Sequence, residues 1–249
     1  SWGLSKGGDI LALLEGLGLS KKFGGVLALN RVDFVLNGGE IVGLIGPNGA
    51  GKTTLFNVIA GTFKATSGRV LFNGSDITGH SANRTCRQGI ARTFQVTRPF
   101  PEMTCVENVG VSVINSPRQS ERHNWREPAK AALKHVGLHA HGKTLAKGLN
   151  LIEKKRLEMA RALATKPKVL LLDEVLGGLN SQEIQEAVEL IQELRKSLGL
   201  TIFWIEHVMG AIMKAADRVI VLDQGANLME GTPEEVVSNP QVIKAYLGE

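Results

Sequence analysis

Residues 46 to 54 read Gly-Pro-Asn-Gly-Ala-Gly-Lys-Thr-Thr, directly after the unbroken apolar run Ile41 to Ile45. A buried strand that feeds closely spaced glycines and then Lys52, Thr53 and Thr54 has few ways to fold. Glycine lets the backbone curl until successive N–H groups face one point, and the helix that follows adds the positive end of its dipole. The product is a cradle for a chain of phosphates. Lys52 is placed to reach the β and γ phosphates and the Thr53 hydroxyl to bind Mg²⁺. Gly46, Pro47, Asn48, Gly49, Ala50, Gly51, Lys52, Thr53 and Thr54 are therefore the expected phosphate loop.

The rest of the chain supplies a sheet to carry that loop. Apolar runs recur at Ile10 to Leu14, Val32 to Leu36, Val70 to Phe72, Val169 to Leu172, Thr201 to Ile205 and Val219 to Leu222. Several are apolar on both faces, as a parallel sheet covered by helices on each side requires. The clearest helix starts at Asn180 as cap with Glu183 behind it, continues through Ile184, Val188, Ile191, Leu194 and Leu198, and stops at Gly199. The class is α/β. Between about Val96 and Ala164 the strand pattern lapses, so a mostly helical subdomain over 96–164 is expected inside a core of 10–95 and 165–249, after a loose tail over 1–9.

Composition narrows the function classes. With 43% hydrophobic and 21% charged residues the chain is globular, and no run reaches the length of a membrane span. The net charge of +5 comes from basic residues interleaved with acidic ones, which does not call for nucleic acid. Cys86 and Cys105 fall in no metal-binding or disulfide spacing, and no secretory leader is visible, so the cytosol is expected.

Ligands of open parallel sheets sit beyond the carboxyl ends of the strands, so the residues that follow each run matter most. Val169 to Leu172 is followed by Asp173 and Glu174. Asp173 can hold Mg²⁺, directly or through water, and Glu174 can orient and polarise an attacking water. Thr201 to Ile205 is followed by Glu206 and His207, and Ile90 to Phe94 by Gln95. His207 is a candidate partner for the γ phosphate and for Glu174, while Gln95 could add an oxygen to Mg²⁺.

In this order the motifs resemble the ATP-hydrolysing subunit of ABC transporters, across nearly the whole chain. The resemblance implies a P-loop NTPase cassette: a parallel-sheet core, an antiparallel β part and the inserted helical subdomain. It implies that Phe23 stacks on adenine, that Glu174, His207 and Lys52 are catalytic, and that ATP and Mg²⁺ are the cofactors. Two cassettes would sandwich two ATP, with integral membrane permease subunits and, indirectly, an extracytoplasmic substrate-binding protein as partners at the inner face of the cell membrane. Residues near Arg98 to Val106 would help form the groove for a membrane subunit's short helix. Gly89 to Gln95 followed by Arg98-Pro99-Phe100, the run Ile205 to Met209 and the tail Glu230 to Glu235 through Ala245 to Gly248 look like the branched-chain amino-acid importer type. A lipopolysaccharide exporter ATPase has a similar tail and is the nearest rival.

One departure matters. The family signature Leu-Ser-Gly-Gly-Gln should begin seven residues before Arg156, where this chain reads Leu149-Asn150-Leu151-Ile152-Glu153. Asn150 could replace the serine as donor to the partner's γ phosphate, but Ile152 stands where a glycine allows close approach. Asn180 and Val175 stand where relatives carry Asp and Pro. A heterodimer with a second, different cassette is the expectation. His135, His139 and His141 read as an exposed helix end, and Arg118, Arg122, Arg126 and Lys130 as a solvated face. Two other functions share the fold: a non-transport ATPase acting on nucleic acid or a soluble complex, and an ATP-binding subunit that hydrolyses little.

Overall fold

The computed structural model describes residues 12–94, 97–116 and 123–247, so Arg118 and Arg122 of the basic stripe lie outside the described residues. Ten strands and nine α-helices are assigned among them. A four-stranded antiparallel sheet has the order β2-β1-β4-β5, from β1 (Leu14–Phe23), β2 (Val26–Leu36), β4 (Ser67–Phe72) and β5 (Ser75–Asp76). A six-stranded sheet has the order β10-β9-β3-β8-β7-β6. Its members are β3 (Ile41–Ile45), β6 (Ile90–Arg92), β7 (Val169–Asp173), β8 (Thr201–Ile205), β9 (Arg218–Asp223) and β10 (Ala226–Gly231). All its pairings are parallel except the β9–β10 hairpin.

Side chains on a strand alternate between faces, and here the alternation divides the core in two. Ile41, Ile45, Leu170, Leu172, Ile202, Trp204, Val219 and Val221 pack toward the helices. These are α3 (Cys105–Asn115), α4 (Arg126–His135), α5 (Leu151–Leu163), α6 (Ser181–Leu198), α7 (Met209–Ala215) and α8 (Pro233–Ser238). Val42, Leu44, Val169, Leu171, Phe203, Ile205, Ile220 and Leu222 face the other way. They meet Leu55, Phe56 and Ile59 of α1 (Lys52–Ile59) and the inner face of the antiparallel sheet, Leu19, Val32, Phe34 and Phe72 among it. Apart from Thr201 and Asp173 at strand ends, the central strands carry no polar side chain because both faces are covered.

Two strands differ from the sequence expectation. The first strand begins at Leu14 rather than ending there: Ala12 and Leu13 are outside it, and Ile10 and Leu11 lie outside the described residues. Bulges near Gly16 and Leu19 break the alternation that would have marked it. The run Ile90 to Phe94 is strand only as far as Arg92; Thr93 still donates its N–H to the Leu171 carbonyl at 3.0 Å, and the regular pairing with β7 stops there.

Helix ends follow the sequence closely. Asn180 caps α6 by accepting the Glu183 N–H at 3.0 Å while Glu183 accepts the Asn180 N–H at 2.8 Å, and Gly199 closes the helix at φ 63°. Asn150 and Glu153 cap α5 in the same reciprocal way, both bonds at 2.9 Å. Helices α2 (Ala82–Gln88) and α9 (Pro240–Leu247) complete the set.

Candidate functional site

The parallel pairing of β3, β8, β7 and β6 sends the carboxyl end of each to one edge of the sheet, and the candidate residues meet there. The loop after β3 turns at Gly46, whose φ of 148° suits glycine. A Cβ built on it would lie 2.1 Å from the Leu222 carbonyl oxygen at the end of β9. Gly49 and Gly51 hold φ of 83° and 101°, and a Cβ on Gly51 would sit 2.6 Å from the Ala28 carbonyl. At Gly46 and Gly51 the nearest atoms are backbone, so no side chain fits there, whereas Gly49 has open space around it and is favoured by its φ alone. Lys52 is buried and its ammonium donates to the Gly46 and Pro47 carbonyls at 2.7 and 3.0 Å. Burial draws its pKa below the ordinary lysine range, and the nearby Glu174 and Asp173 carboxylates push it back up.

Glu174 leaves β7 in a left-handed conformation, φ 48°, that non-glycine residues adopt at a cost. Its N–H still donates to the Ile205 carbonyl at 2.9 Å, tying it to the end of β8. That twist brings its carboxylate to His207, Oε1 to Nε2 at 2.6 Å, with the imidazole 41% and the carboxylate 19% exposed. The pair therefore stands at the mouth of the site, within reach of a ligand and of water.

Asp173, the residue before it, is buried and bonded to Arg92: Nη2 to Oδ2 is 2.6 Å. The same guanidinium donates through Nη1 to Asn57 of α1 at 2.7 Å and stacks toward the rings of Phe56 and Phe94. Arg92 thus links β6, β7 and the phosphate-loop helix. Thr53 and Asp173 line one cleft of about 480 Å³ together with Arg92, Phe94, Arg98, Glu158 and Arg161. A hydroxyl and a carboxylate are the hard oxygen donors that Mg²⁺ takes in small number, leaving its other positions to water and phosphate. Among the described residues no group of three or more His, Cys, Asp or Glu could cage a metal, His135, His139 and His141 included. Gln95 lies outside the described residues. A roomier cleft, about 680 Å³, opens at the opposite, amino ends of β7 and β8, where Pro167 and Leu200 line it.

Phe23 ends β1 with 41% of its surface exposed, edge-on to Phe63 at 5.2 Å and beneath the Lys21 ammonium at 4.8 Å. Asn150 lies at the exposed start of α5, and Leu151 beside it is 47% exposed. Leu151 reaches the Gly178 turn after Glu174, where an added Cβ would sit 3.0 Å from its Cδ2.

Three site-supporting residues escape sequence reasoning. Arg92 is one, because its partner Asp173 is 81 residues away. Asn108 is another: fully buried on α3, it accepts the Phe100 N–H at 2.8 Å and donates to the carbonyls of Phe100, Met103 and Thr104 at 3.0 to 3.1 Å, shaping the segment after β6. Glu206 is the third. Also buried, it accepts the Leu176 N–H at 2.7 Å and the His207 N–H at 3.1 Å, clamping the turn after Glu174 to the end of β8.

Burial pushes the Glu206 carboxyl above its ordinary range; the N–H groups of Leu176, His207 and Val208 lower it in part, and Glu174 raises it further. A raised folded-state pKa means the folded chain prefers the protonated form, so this contribution is complete below the unfolded pKa and lost as pH rises through the folded one. Glu206→Gln, which cannot ionise, should therefore gain stability relative to the unchanged protein as pH rises from about 5 to about 8. Thermal melts of both across that range check the slope; a parallel pair of curves would contradict it.

Residues 29–177 match the family model described as ABC transporter, and residues 227–249 match a second model, branched-chain amino acid ATP-binding cassette transporter. The chain belongs to the ABC transporter ATP-binding family. This cassette is 42% identical over 250 residues to the high-affinity branched-chain amino acid transport ATP-binding protein LivG of Escherichia coli K12, covering 95% of this chain and 98% of that one. It is 41% identical over 251 residues to BraF of Pseudomonas aeruginosa, with the same coverage. Among solved structures it is similar to a nucleotide-free ATP-binding cassette of an ABC transporter: TM-score 0.88, 33% identity, 96% of this chain and 100% of that one. A cassette in its ADP conformation follows at TM-score 0.86 and 31% identity, with the same coverage. Among the described residues of this cassette no helix is long and apolar enough to cross a membrane.

Proposed function

We propose that this cassette is the ATP-hydrolysing subunit of an importer for branched-chain or related amino acids, held at the cytoplasmic face of the cell membrane by permease subunits. The observation that carries the reading is the Glu174–His207 pair set 2.6 Å apart beside the glycine-shaped loop of Lys52. The branched-chain match over 227–249 supports the importer over the lipopolysaccharide exporter.

The loop N–H groups and the Lys52 ammonium bind the β and γ phosphates, and Lys52 exchanges its present carbonyl partners for phosphate oxygens. Thr53, Asp173 and Gln95 would hold Mg²⁺, which when bound neutralises charge on those phosphates. Glu174 accepts a hydrogen bond from the attacking water and draws off its proton as the water oxygen bonds to the γ phosphorus. The bond from that phosphorus to the β–γ bridging oxygen breaks in line, releasing ADP and phosphate. His207 holds Glu174 and contacts the γ phosphate. ATP binding closes two cassettes on each other and hydrolysis reopens them.

The reading is tested by titrating ATP into the wild-type chain and Lys52→Ala, and by measuring phosphate release from the complex that copurifies with membrane subunits. Binding lost in the variant and release by the complex are expected; binding that survives Lys52→Ala unchanged contradicts it. Phe23 stacks on adenine in this scheme, so Phe23→Ala should weaken ATP and ADP alike by about fivefold or more. Unchanged affinity by fluorescence titration would remove Phe23 from the site.

Each closed site needs the other cassette's signature. Asn150 retains a polar group at the start of α5, but Ile152 replaces a glycine on the approaching turn, which favours a partner cassette of different sequence. With saturating ATP, Glu174→Gln alone should remain a monomer by light scattering and should dimerise when that second cassette is added. A stable homodimer would contradict this.

A further inference from the structure

We propose that Tyr246, near the end of α9, is a positioning residue for the phosphate loop, holding the Gly46 peptide and coupling the C-terminal helix to nucleotide occupancy. The inference rests on the reading that this loop binds ATP. The Gly46 N–H donates to the Tyr246 hydroxyl at 2.8 Å, a contact 200 residues apart in the chain. Gly46 is where β3 becomes loop. The ladder to β9 runs to Ile45 opposite Val221, and past it the Gly46 N–H must find another acceptor.

The other side of Gly46 is held as well. Its carbonyl accepts the Lys52 ammonium at 2.7 Å, and the Leu222 carbonyl lies where its Cβ would be. One residue therefore joins the β9 end, the catalytic lysine and α9. When nucleotide phosphates take Lys52 away from that carbonyl, the Tyr246 bond is what still fixes the turn. Helix α9 is anchored for this task by Val242, which is 3% exposed, and by its packing against α8. Tyr246 is 41% exposed, yet partial desolvation at its hydroxyl holds the phenol above its ordinary range against the lowering effect of the Gly46 N–H, so it stays neutral. The helix lies inside the stretch 227–249 that matches the branched-chain model.

Without the hydroxyl, the loop spends part of its time in shapes that do not bind, and apparent affinity falls by that fraction. Linkage makes the effect reciprocal: if α9 favours the binding shape, nucleotide must favour the docked helix.

The test uses the full chain, with ADP as probe. In the unaltered protein, saturating ADP should slow amide hydrogen exchange over residues 240–247. Tyr246→Phe should bind ADP about fivefold more weakly, the size of one neutral hydrogen bond, and lose that ADP-dependent slowing. Its melting temperature without nucleotide should stay near wild type. In the transporter complex, KM for ATP should rise while kcat holds within about twofold. Tyr246→Ala, which also loses packing, should show the same affinity loss with a lower melting temperature. Wild-type affinity in Tyr246→Phe, or exchange over 240–247 that ignores ADP although ADP binds, would overturn the proposal. A wild-type chain that binds no ADP would overturn the ATP reading as well.

Discussion

Glu174→Gln lowers the rate of phosphate release by the transporter complex by about 10²- to 10⁴-fold, the range for a general base in proton transfer. On the barrier this is about 3 to 5 kcal/mol. Glutamine keeps the shape of the side chain and an oxygen that His207 can bond, but it cannot take a proton from water. The loop N–H groups and Thr53 are untouched, and Lys52 keeps its contacts to the Gly46 and Pro47 carbonyls, losing only a nearby charge. Affinity for ATP should therefore change by less than about threefold, and the closed state should accumulate because the step that reopens it is blocked. Stopped-flow phosphate release together with equilibrium ATP binding checks both halves. A variant that binds ATP and hydrolyses it at the wild-type rate would take Glu174 out of the mechanism.

The second large effect is on stability. Arg92→Met removes the cation that faces Asp173 at 2.6 Å, where the two side chains are only 8% and 4% exposed. Breaking one side of a buried ion pair leaves the other charge in a poor environment, a loss of about 3 to 5 kcal/mol. Lys52 lies close enough to Asp173 to soften the loss, which places the expectation toward the lower end. For a domain of this size the melting temperature should fall by about 10 °C. Asp173→Asn in the same chain should recover much of it, because the double variant strands no buried charge. Calorimetry of the two single variants and the double one gives the coupling. Additive losses would mean that Arg92 stabilises through Asn57 and the Phe56 and Phe94 rings instead.

These two residues also mark what the sequence discloses. Glu174 stands out because its motif is contiguous: an apolar strand ends and two carboxylates follow. The phosphate loop and the capped helix α6 are legible for the same reason, since loop, cap and periodicity are all local. Arg92 is equally important to the site and gives no such signal, because its partners Asp173 and Asn57 come from other elements. Asn108 looks like an ordinary polar position on a helix until the fold buries it among three carbonyls.

Strand β1 is shifted in a sequence reading because its bulges and its Lys21-Lys22 end disturb the period of two. Strand β10 is missed because it is a half-exposed edge. Its hairpin turn, Gln224 and Gly225 at φ 45° and 81°, does carry the left-handed pair that a tight two-residue turn requires, and the Gly225 is visible in the sequence. The signature region is the instructive case. Helix register places Asn150 at the start of α5, and the reciprocal Asn150–Glu153 cap puts it there in the fold.

In the proposed function, this cassette converts ATP hydrolysis into amino-acid import. The most direct test is uptake of radiolabelled leucine, isoleucine or valine by proteoliposomes holding the cassette with its copurifying membrane subunits and the substrate-binding protein outside. Uptake should require ATP and Mg²⁺ on the cassette side and fall to background with Glu174→Gln. Phosphate release that is indifferent to these amino acids and their binding protein, with no uptake above the ATP-free control, would contradict it.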